Sequence, residues 1–423
     1  MFIIYDLVFL LFALIYLPSF LLKKKLHRGF IQRLGAVKFD TQLDKPIWVH
    51  AVSVGEAKAA QYLTKQLRKT FPEKKFVFST VTPTGNSIVR RFKQQDDFLF
   101  YLPLDLSFIT RRVIRKIDPC VCIIMETEIW PNLISGLKQK GVPIIVVNAR
   151  ISDRSFLGYR LIKPLLKQVL NKIDLFCVQS ATDAQRLEAL GMSGDKLKIT
   201  GNMKYDIAGG IDSEVDFTKY RLRLGLSDRQ RLFVAGSTHA SEEEIILRAY
   251  LKLTAESCGL RLLIAPRHPE RTLQIEALVK KFGFIPLRIS KLSISAGICP
   301  PDAVFILDTV GELIAFYSVC DIVFVGGSLV SRGGQNILEP ALFAKPILFG
   351  PHMFNFRDIS NMFLIEKAAC MVQTEEELLK EISFLLSNPN QAQSMGQVAR
   401  RLVVENQGVA LSNAQLIKQT LDI

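Results

Sequence analysis

Short apolar runs recur along the chain, and a longer amphipathic stretch separates each run from the next. In the first half the runs read IWVHAV, KFVFSTV, FLFYLPL, CVCIIME, PIIVVNA and DLFCVQS, and in the second half RLFVAGS, LRLLIAP, AVFILD, DIVFVGG and KPILFG. Continuous apolar runs of this length are typical of parallel strands that are buried on both faces. The pattern therefore predicts an α/β fold with two Rossmann-like, doubly wound domains.

A polar stretch that carries Gly209 and Gly210 interrupts the series of apolar runs between the two halves of the chain. Polar, glycine-bearing stretches between periodic segments are typical of linkers, and a chain of 423 residues suits two domains better than one. We therefore expect a linker at residues 207–216, between a first domain at 23–206 and a second at 217–423. Ligands of such sheets bind beyond the carboxyl ends of the strands, which predicts an interdomain cleft.

Residues 1–22 are almost wholly apolar, and the basic stretch KKKLHR follows them directly. The apolar run has about the length that crosses a bilayer. A cleaved signal peptide would carry its positive charge before the apolar run, so we expect a retained membrane anchor with the body on the cytoplasmic face. Because Asp6 and Pro18 interrupt the run, a helix that lies in the membrane interface is the alternative.

The net charge of +14 is distributed unevenly. Residues 1–206 hold 32 Lys and Arg against 17 Asp and Glu, whereas residues 207–423 hold 22 against 23. The first half is therefore suited to a polyanionic partner. Its basic clusters are not interleaved with stacking aromatic residues, and no nucleic-acid-binding motif is present, so we expect no nucleic-acid partner. Next to a membrane anchor, this charge favours an anionic lipid surface.

The cysteines and histidines do not suggest a metal centre. The seven cysteines are scattered through apolar runs, and the five histidines are far apart in sequence. This pattern offers neither a disulfide framework nor the spacing of a zinc site. Because a DXD-type pair of aspartates is also missing, we expect no bound metal and no other cofactor.

The segment Phe324–Pro340, FVGGSLVSRGGQNILEP, joins an apolar strand to an amphipathic stretch through two glycine pairs. Without a Cβ atom, Gly327 and Gly334 let backbone amides approach a ligand closely. A helix that opens near Asn336 would present unpaired N–H groups to a phosphate, and Glu339 could accept hydrogen bonds from sugar hydroxyls. The alternative is an ordinary glycine-rich turn between a buried strand and a helix.

Acidic residues follow two predicted strands of the first domain. Glu56 begins a helix just after the first strand, where a carboxylate could act as general base or could simply complement the helix dipole. Glu126 and Glu128 follow CVCII. If this segment is extended, the two side chains point to opposite faces, and one of them is structural.

Basic and small residues at other strand ends are further candidates. Arg267 could clamp a phosphate or carboxylate, or could form a surface salt bridge. Lys204, near the domain border, could neutralise a leaving phosphate or could be a solvated linker residue. Gly236 and Ser237 follow the first strand of the second domain. Without a metal, these amides and cations would have to stabilise a leaving nucleotide.

Seven ordered motifs behind an apolar N terminus carry a family resemblance: HAVSVGE, ETEIWPN, GNMKYD, AGSTH, APRHPER, GGQNILEP and GPHMFNFRD. Together they resemble the 3-deoxy-D-manno-octulosonic acid (Kdo) transferases of lipopolysaccharide synthesis. The resemblance runs from the N-terminal segment to the C-terminal domain.

The resemblance implies a GT-B glycosyltransferase fold and transfer of Kdo from CMP-Kdo to lipid IVA, the lipid A precursor, or to Kdo-lipid IVA, at the cytoplasmic face of the inner membrane. It places the general base at Glu56 and an acceptor or transition-state role at Glu126 and Lys204. The positions that fall on the donor-binding region are Gly236, Ser237, Arg267, Gly327, Gly334, Asn336 and Glu339. Gln335 stands where many relatives have histidine, and it cannot become cationic.

Two other kinds of enzyme with this architecture remain open. A sugar-nucleotide 2-epimerase can share the fold, but it has no use for a membrane anchor or a basic acceptor face. A transferase that passes a UDP-sugar to another lipid is the nearer alternative. A non-catalytic lipid-binding module is harder to reconcile with Glu56 and a nucleotide loop.

Overall fold

The computed structural model describes residues 5–11, 15, 29–37, 43–210, 218–256, 259–292 and 299–421. These residues form two compact units, Met1–Ile207 together with Asn406–Ile423, and Ala208–Glu405. Each unit has its own parallel sheet of seven strands. The predicted doubly wound α/β architecture is therefore confirmed for both halves of the chain.

In the first unit the sheet order is β3-β2-β1-β4-β5-β6-β7, and every described pairing is parallel. The strands are β1 (Ile47–His50), β2 (Phe76–Thr80), β3 (Phe98–Tyr101), β4 (Val121–Met125), β5 (Ile144–Ala149), β6 (Leu175–Val178) and β7 (Leu197–Ile199). The helices are α1 (Phe30–Arg33), α2 (Val54–Thr70), α3 (Pro83–Phe92), α4 (Ser107–Ile117), α5 (Pro131–Gln139), α6 (Asp153–Leu161), α7 (Lys163–Leu170), α8 (Ala181–Ala189) and α9 (Lys204–Gly209). The chain reverses its direction of travel across the sheet between β1 and β4, where Rossmann-like sheets bind ligands.

The second unit has the strand order β10-β11-β9-β8-β12-β13-β14, which differs from that of the first because β11 lies between β10 and β9. Its strands are β8 (Arg231–Thr238), β9 (Leu260–Pro266), β10 (Ile285–Arg288), β11 (Ala303–Ile306), β12 (Ile322–Val325), β13 (Ile347–Phe349) and β14 (Cys370–Met371). Its helices are α10 (Thr218–Arg223), α11 (Glu242–Glu256), α12 (Thr272–Lys281), α13 (Leu313–Val319), α14 (Leu338–Leu342), α15 (Arg357–Ile365), α16 (Glu375–Ser387) and α17 (Pro389–Glu405). Here the corresponding reversal lies between β8 and β12, which the glycine-rich segment follows.

The last helix, α18 (Val409–Thr420), belongs to the first unit. Its apolar side chains share a core with those of α2, as Ile417 and Leu63 do. The carboxylate of Asp206 accepts hydrogen bonds from the amides of Gly408 (2.7 Å) and Ala410 (2.6 Å) at the start of this helix. The predicted second domain runs to residue 423, whereas the structure returns the chain to the first unit because α18 buries its apolar face there.

The predicted linker at 207–216 and the predicted anchor at 1–22 fall partly on residues outside those described. Residues 5–11 are helical. Asp6 accepts hydrogen bonds from the Ser107 amide (3.1 Å), the Ser107 hydroxyl (2.5 Å) and the Asn132 side-chain amide (2.6 Å). These contacts hold the start of this helix against the N termini of α4 and α5. Within the described part of the chain, no helix has both the length and the apolarity needed to span a bilayer.

Candidate active site

Glu56 lies in the first turn of α2, directly after β1. The Ser53 hydroxyl accepts the Glu56 amide at 3.3 Å, and the Glu56 carboxylate accepts the amides of Val52 (2.7 Å) and Ser53 (3.2 Å). This is a capping box, so Glu56 does stabilise the start of the helix. Its side chain is buried, and this burial raises its pKa although the hydrogen bonds oppose the rise. A carboxylate has about four lone-pair sites, so two amide contacts leave capacity for a hydroxyl proton.

Glu126 follows β4 with a backbone φ of +56°, and its amide donates to the Val147 carbonyl at 2.8 Å. The hydroxyl of Thr127 bonds to the Arg150 carbonyl (2.5 Å) and accepts the Arg150 amide (3.0 Å), which ties this bend to the loop after β5. A left-handed residue breaks the alternation of an extended strand. The premise that this segment is extended, on which the predicted opposite orientation of Glu126 and Glu128 depends, is therefore wrong.

Glu56, Glu126 and Glu128 form what we call the carboxylate cluster. Burial and the charge of Glu56 raise the pKa of Glu126 to about 7, against the opposing effects of Lys204 and Arg150. Burial and the charges of Glu56 and Glu126 likewise raise the pKa of Glu128 to about 7. Like charges in a desolvated site disfavour joint ionisation. The charge of Glu56 therefore helps to keep Glu126 and Glu128 protonated at pH values where an ordinary glutamate is ionised.

Lys204 begins α9 beside this cluster, where a chain of amide contacts positions its backbone. The Gln179 side-chain amide donates to the Asn148 carbonyl (2.9 Å), and the Asn202 side-chain amide donates to the Gln179 side-chain oxygen (2.8 Å). The Asn202 side-chain oxygen in turn accepts the Lys204 amide (3.0 Å). The Lys204 charge lowers the pKa of Glu126, so this lysine belongs to the carboxylate cluster and not to a distant linker.

In the second unit the loops after β8 and β12 pack backbone to backbone. The Gly236 carbonyl accepts the Gly326 amide at 2.8 Å. A Cβ atom on Gly236 would lie 2.0 Å from the Tyr317 hydroxyl, and one on Gly326 would lie 2.6 Å from the Ser237 carbonyl oxygen. Ser237 itself has a φ of +57°. The two strand ends can meet this closely only because glycines stand at positions 236 and 326.

The second glycine pair, Gly333 and Gly334, packs on the first pair, Gly326 and Gly327. The Gly334 amide donates to the Gly327 carbonyl at 2.8 Å, and the Gly327 amide donates to the Glu242 carboxylate at 2.7 Å. Gly334 has a φ of +70°, and a Cβ atom there would lie 2.2 Å from the Met353 sulfur. The Gly327 amide itself is not open to a ligand, because a buried carboxylate already accepts it.

Asn336 and Glu339 flank the start of the short helix α14. The Asn336 side-chain oxygen accepts the Leu338 amide at 3.1 Å, and its side-chain nitrogen donates to the Glu339 carboxylate at 3.1 Å. The helix begins at Leu338 and has five residues, so it is much shorter than the sequence pattern suggests. Asn336 thus orients Glu339 beside the glycine pairs.

A group of basic side chains follows β8, β9 and β12, and we call it the basic group: His239, Arg267, His268 and Arg332. The rings of His239 and His268 are 5.8 Å apart and nearly perpendicular. Burial and the charges of His268, Arg332 and Arg267 lower the pKa of His239, against the effect of Glu243. Arg267 is exposed and forms no ion pair with any residue that the structure describes. The sequence pointed to Arg267 alone, although both histidines also follow strand ends.

A family model described as 3-Deoxy-D-manno-octulosonic-acid transferase (kdotransferase) matches residues 28–207. A 3-deoxy-D-manno-octulosonic acid transferase of Haemophilus influenzae is 37% identical over 377 residues, which cover 89% of this chain and 87% of that protein. A transferase with the same description from Chlamydophila psittaci is 31% identical over 404 residues, covering 92% of this chain and 89% of the relative. The chain belongs to the Kdo transferases. It is therefore a glycosyltransferase of lipopolysaccharide synthesis, as the ordered motifs predict.

Solved structures of low identity agree with the fold of this Kdo transferase. A glycosyltransferase from Rickettsia africae is similar with a TM-score of 0.60 at 14% identity, over 89% of this chain and 99% of that one. A UDP-GlcNAc 2-epimerase from Neisseria meningitidis is similar with a TM-score of 0.59 at 11% identity, over 89% and 99% of the two chains. The predicted GT-B-like architecture is thus confirmed, and at such identities the likeness concerns the fold alone.

The structure of this Kdo transferase groups the predicted site residues into two sets. Glu56, Glu126 and Lys204 lie together at the strand ends of the first unit. Gly236, Ser237, Gly327 and Gly334 lie together at the strand ends of the second unit, with Asn336 and Glu339 in the same segment. Glu128, His239, Glu242 and His268 join these sets although sequence reasoning did not assign them to the site.

Proposed function

We propose that this Kdo transferase is an inverting enzyme that moves Kdo from CMP-Kdo to a hydroxyl of lipid IVA, in one or more additions. The observation that carries the proposal is the carboxylate cluster with Lys204 in a chain of this family. Glu56 is held rigidly by the start of α2, and a fixed carboxylate with free lone pairs is suited to general base catalysis.

In the proposed reaction the Glu56 carboxylate takes the proton of the acceptor hydroxyl. The hydroxyl oxygen forms a bond to the anomeric carbon of Kdo, and the bond from that carbon to the CMP phosphate oxygen breaks. The electron pair of this bond leaves on CMP. The charge of Glu56 raises the pKa of both Glu126 and Glu128, whereas the Lys204 ammonium stabilises the ionised form of Glu126.

The donor is proposed to bind at the strand ends of the second unit. Arg267 offers an exposed guanidinium for the anionic donor, and Gly236 and Ser237 offer a closely packed backbone beside it. Asn336 holds the Glu339 carboxylate in place, where it could accept hydrogen bonds from ribose hydroxyls. Arg267 and Arg332, the two guanidinium groups of the basic group, supply positive charge for the leaving nucleotide.

We further propose that the enzyme works at the cytoplasmic surface of the inner membrane. Large apolar side chains are exposed on the helix at residues 5–11 and on α4, with exposed fractions of 60% for Leu7, 62% for Leu11 and 66% for Phe108. Asp6 joins these two elements through Ser107, so the apolar side chains lie in one region of the surface. A surface of this kind, in a half of the chain with strong positive charge, suits an anionic bilayer.

The decisive experiment is transfer by the purified full chain from CMP-Kdo to a tetraacylated lipid A precursor, followed by product mass. Glu56→Gln is assayed beside it, with Glu73→Gln as a control that removes an exposed carboxylate near the same helix. We expect the parent and the control to add Kdo and Glu56→Gln to add none while it remains folded. If the parent transfers sugar only from a UDP donor, the donor assignment is wrong.

A further inference from the structure

Glu242, the first residue of α11, is fully buried and makes an unusually complete set of hydrogen bonds. One carboxylate oxygen accepts the amides of His239 (2.8 Å) and Gly327 (2.7 Å). The other oxygen accepts the amides of Ser328 and Leu329, both at 2.9 Å. Backbone amides of the loops after β8 and β12 therefore converge on one side chain.

These amides form the kind of concave nest in which proteins bind phosphate and other anions. Burial raises the pKa of Glu242, and the four amide contacts oppose that rise because each favours the ionised form. The anion in this nest is therefore the carboxylate of the protein itself. The amides of the first glycine pair, Gly326 and Gly327, already donate to the Gly236 carbonyl and to Glu242. The donor must therefore be held by groups around this pair.

The loop that Glu242 holds is tightly confined on its other sides. A Cβ atom on Gly350 would lie 2.4 Å from the Leu329 amide nitrogen, and the Ser328 hydroxyl accepts the Gly350 amide at 2.8 Å. A Cβ atom on Gly327 would meet the His239 ring at 3.3 Å and the Gln335 amide at 3.4 Å. Movement of the loop would therefore displace His239 and the second glycine pair together.

We propose that Glu242 is a positioning residue for the nucleotide donor, which fixes His239 and the segment Gly327–Leu329 in the geometry that binding requires. The proposal rests on the donor function proposed above for these loops. Glu242 does not contact the donor and acts through the residues it holds. This role explains why a fully buried carboxylate stands between the loops after β8 and β12.

The test compares Glu242→Gln with Glu244→Gln in the full chain. Glu244 lies in the same turn of α11, is partly exposed and pairs with Arg248 at 2.7 Å, so its replacement changes the same charge without touching the loop. A glutamine at 242 keeps the shape but brings N–H groups toward the amides that the carboxylate accepted. We expect Glu242→Gln to raise both the dissociation constant for CMP and the KM for CMP-Kdo about tenfold and to leave kcat little changed. Glu244→Gln should leave all three unchanged.

Hydrogen exchange of the 326–329 amides is measured in parallel, and we expect it to be faster in Glu242→Gln and unchanged in Glu244→Gln. A folded Glu242→Gln protein with normal CMP affinity and normal KM would overturn the positioning role. Failure of the parent protein to bind CMP would instead overturn the donor assignment and this proposal with it. If Glu242→Gln does not fold, Glu242→Asp replaces it, since it keeps the charge but shortens the reach. Faster loop exchange with a raised KM then supports the proposal, and faster exchange with an unchanged KM contradicts it.

Discussion

The negative charge of Glu56 raises the pKa of Glu126, although the two residues are seventy positions apart and follow different strands. The strands that carry them, β1 and β4, are direct neighbours in the first sheet. Their carboxyl ends therefore bring a helix-capping carboxylate and a residue with left-handed backbone into one site. The predictions below follow from this relationship and from the packing around it.

Replacement of Glu56 and replacement of Ser53 should separate catalysis from helix capping. Both residues belong to the capping box of α2, so Glu56→Gln and Ser53→Ala should each lower the free energy of unfolding by about 1 kcal/mol. Only Glu56→Gln should also lower kcat, by about 100-fold or more, because only it removes the proposed base. Denaturant unfolding and initial rates check this. Equal losses of activity in the two variants would mean that Glu56 acts only on the helix.

The pH dependence of transfer should move when Glu126 is neutralised. The charge of Glu126 contributes to the raised pKa of Glu128, on which the charge of the proposed base Glu56 also acts. In Glu126→Gln the pKa of Glu128 should therefore fall, and a limb of kcat against pH that follows Glu128 should shift to lower pH. Glu73→Gln serves as the control. An unshifted limb would show that the cluster does not set the pH dependence.

Stability should fall with rising pH in a window that Glu126 and Glu128 define. Their pKa values are raised from 4.5 to about 7, so between these values the native state holds protons that the unfolded state has released. Their contribution is complete below about pH 4.5 and is lost as the pH passes 7. Glu128→Gln removes one of these ionisations, so its Tm should gain about 3 °C on the parent between pH 5 and pH 8. Parallel Tm curves for parent and variant would contradict the raised pKa.

Loss of the Asp6 carboxylate should release the N-terminal helix from the body. Asp6→Asn removes the charge that accepts hydrogen bonds from Ser107 and Asn132, and hydrogen bonds to a charged group are worth about 1.5–3 kcal/mol. We expect faster proteolysis near residues 5–11 and weaker binding to anionic vesicles. The control is Asp44→Asn, because Asp44 is exposed. If vesicle binding is unchanged while proteolysis increases, the helix does not contribute to the membrane surface.

A side chain at position 334 should disrupt the glycine segment. Gly334→Ala would combine a φ of +70° with a contact of 2.2 Å to the Met353 sulfur, so we expect CMP affinity to fall about tenfold or more. Gly283→Ala is the matched control, because Gly283 has a φ of +84° but its Cβ atom would meet nothing within 4 Å. Equal effects of the two variants on CMP affinity would mean that backbone strain, and not the packing against Met353, is responsible.

The sequence pattern predicts the central strands well and the edge strands poorly. It does not predict β7, β10 or β14, and all three lie at sheet edges, where their side chains are largely or partly exposed. An edge strand is covered on fewer sides, so it needs no continuous apolar run. The same limit applies to α18, whose apolar stripe is visible in the sequence but whose docking partner α2 is not.

The sequence by itself determined the two doubly wound halves, the family and the types of residue at the strand ends, because buried parallel strands and close backbone approach each demand particular side chains. Only the tertiary structure decided which of these residues meet. The left-handed backbone at Glu126 ends the extended run, and the charge of Glu56 acts on both glutamates of ETEIWPN, which the sequence pattern cannot show. Glu242 occupies the nest of the first glycine pair because sheet order places α11 against the loop after β12. Local patterns specify which groups are available, whereas long-range packing decides which of them remain free for chemistry.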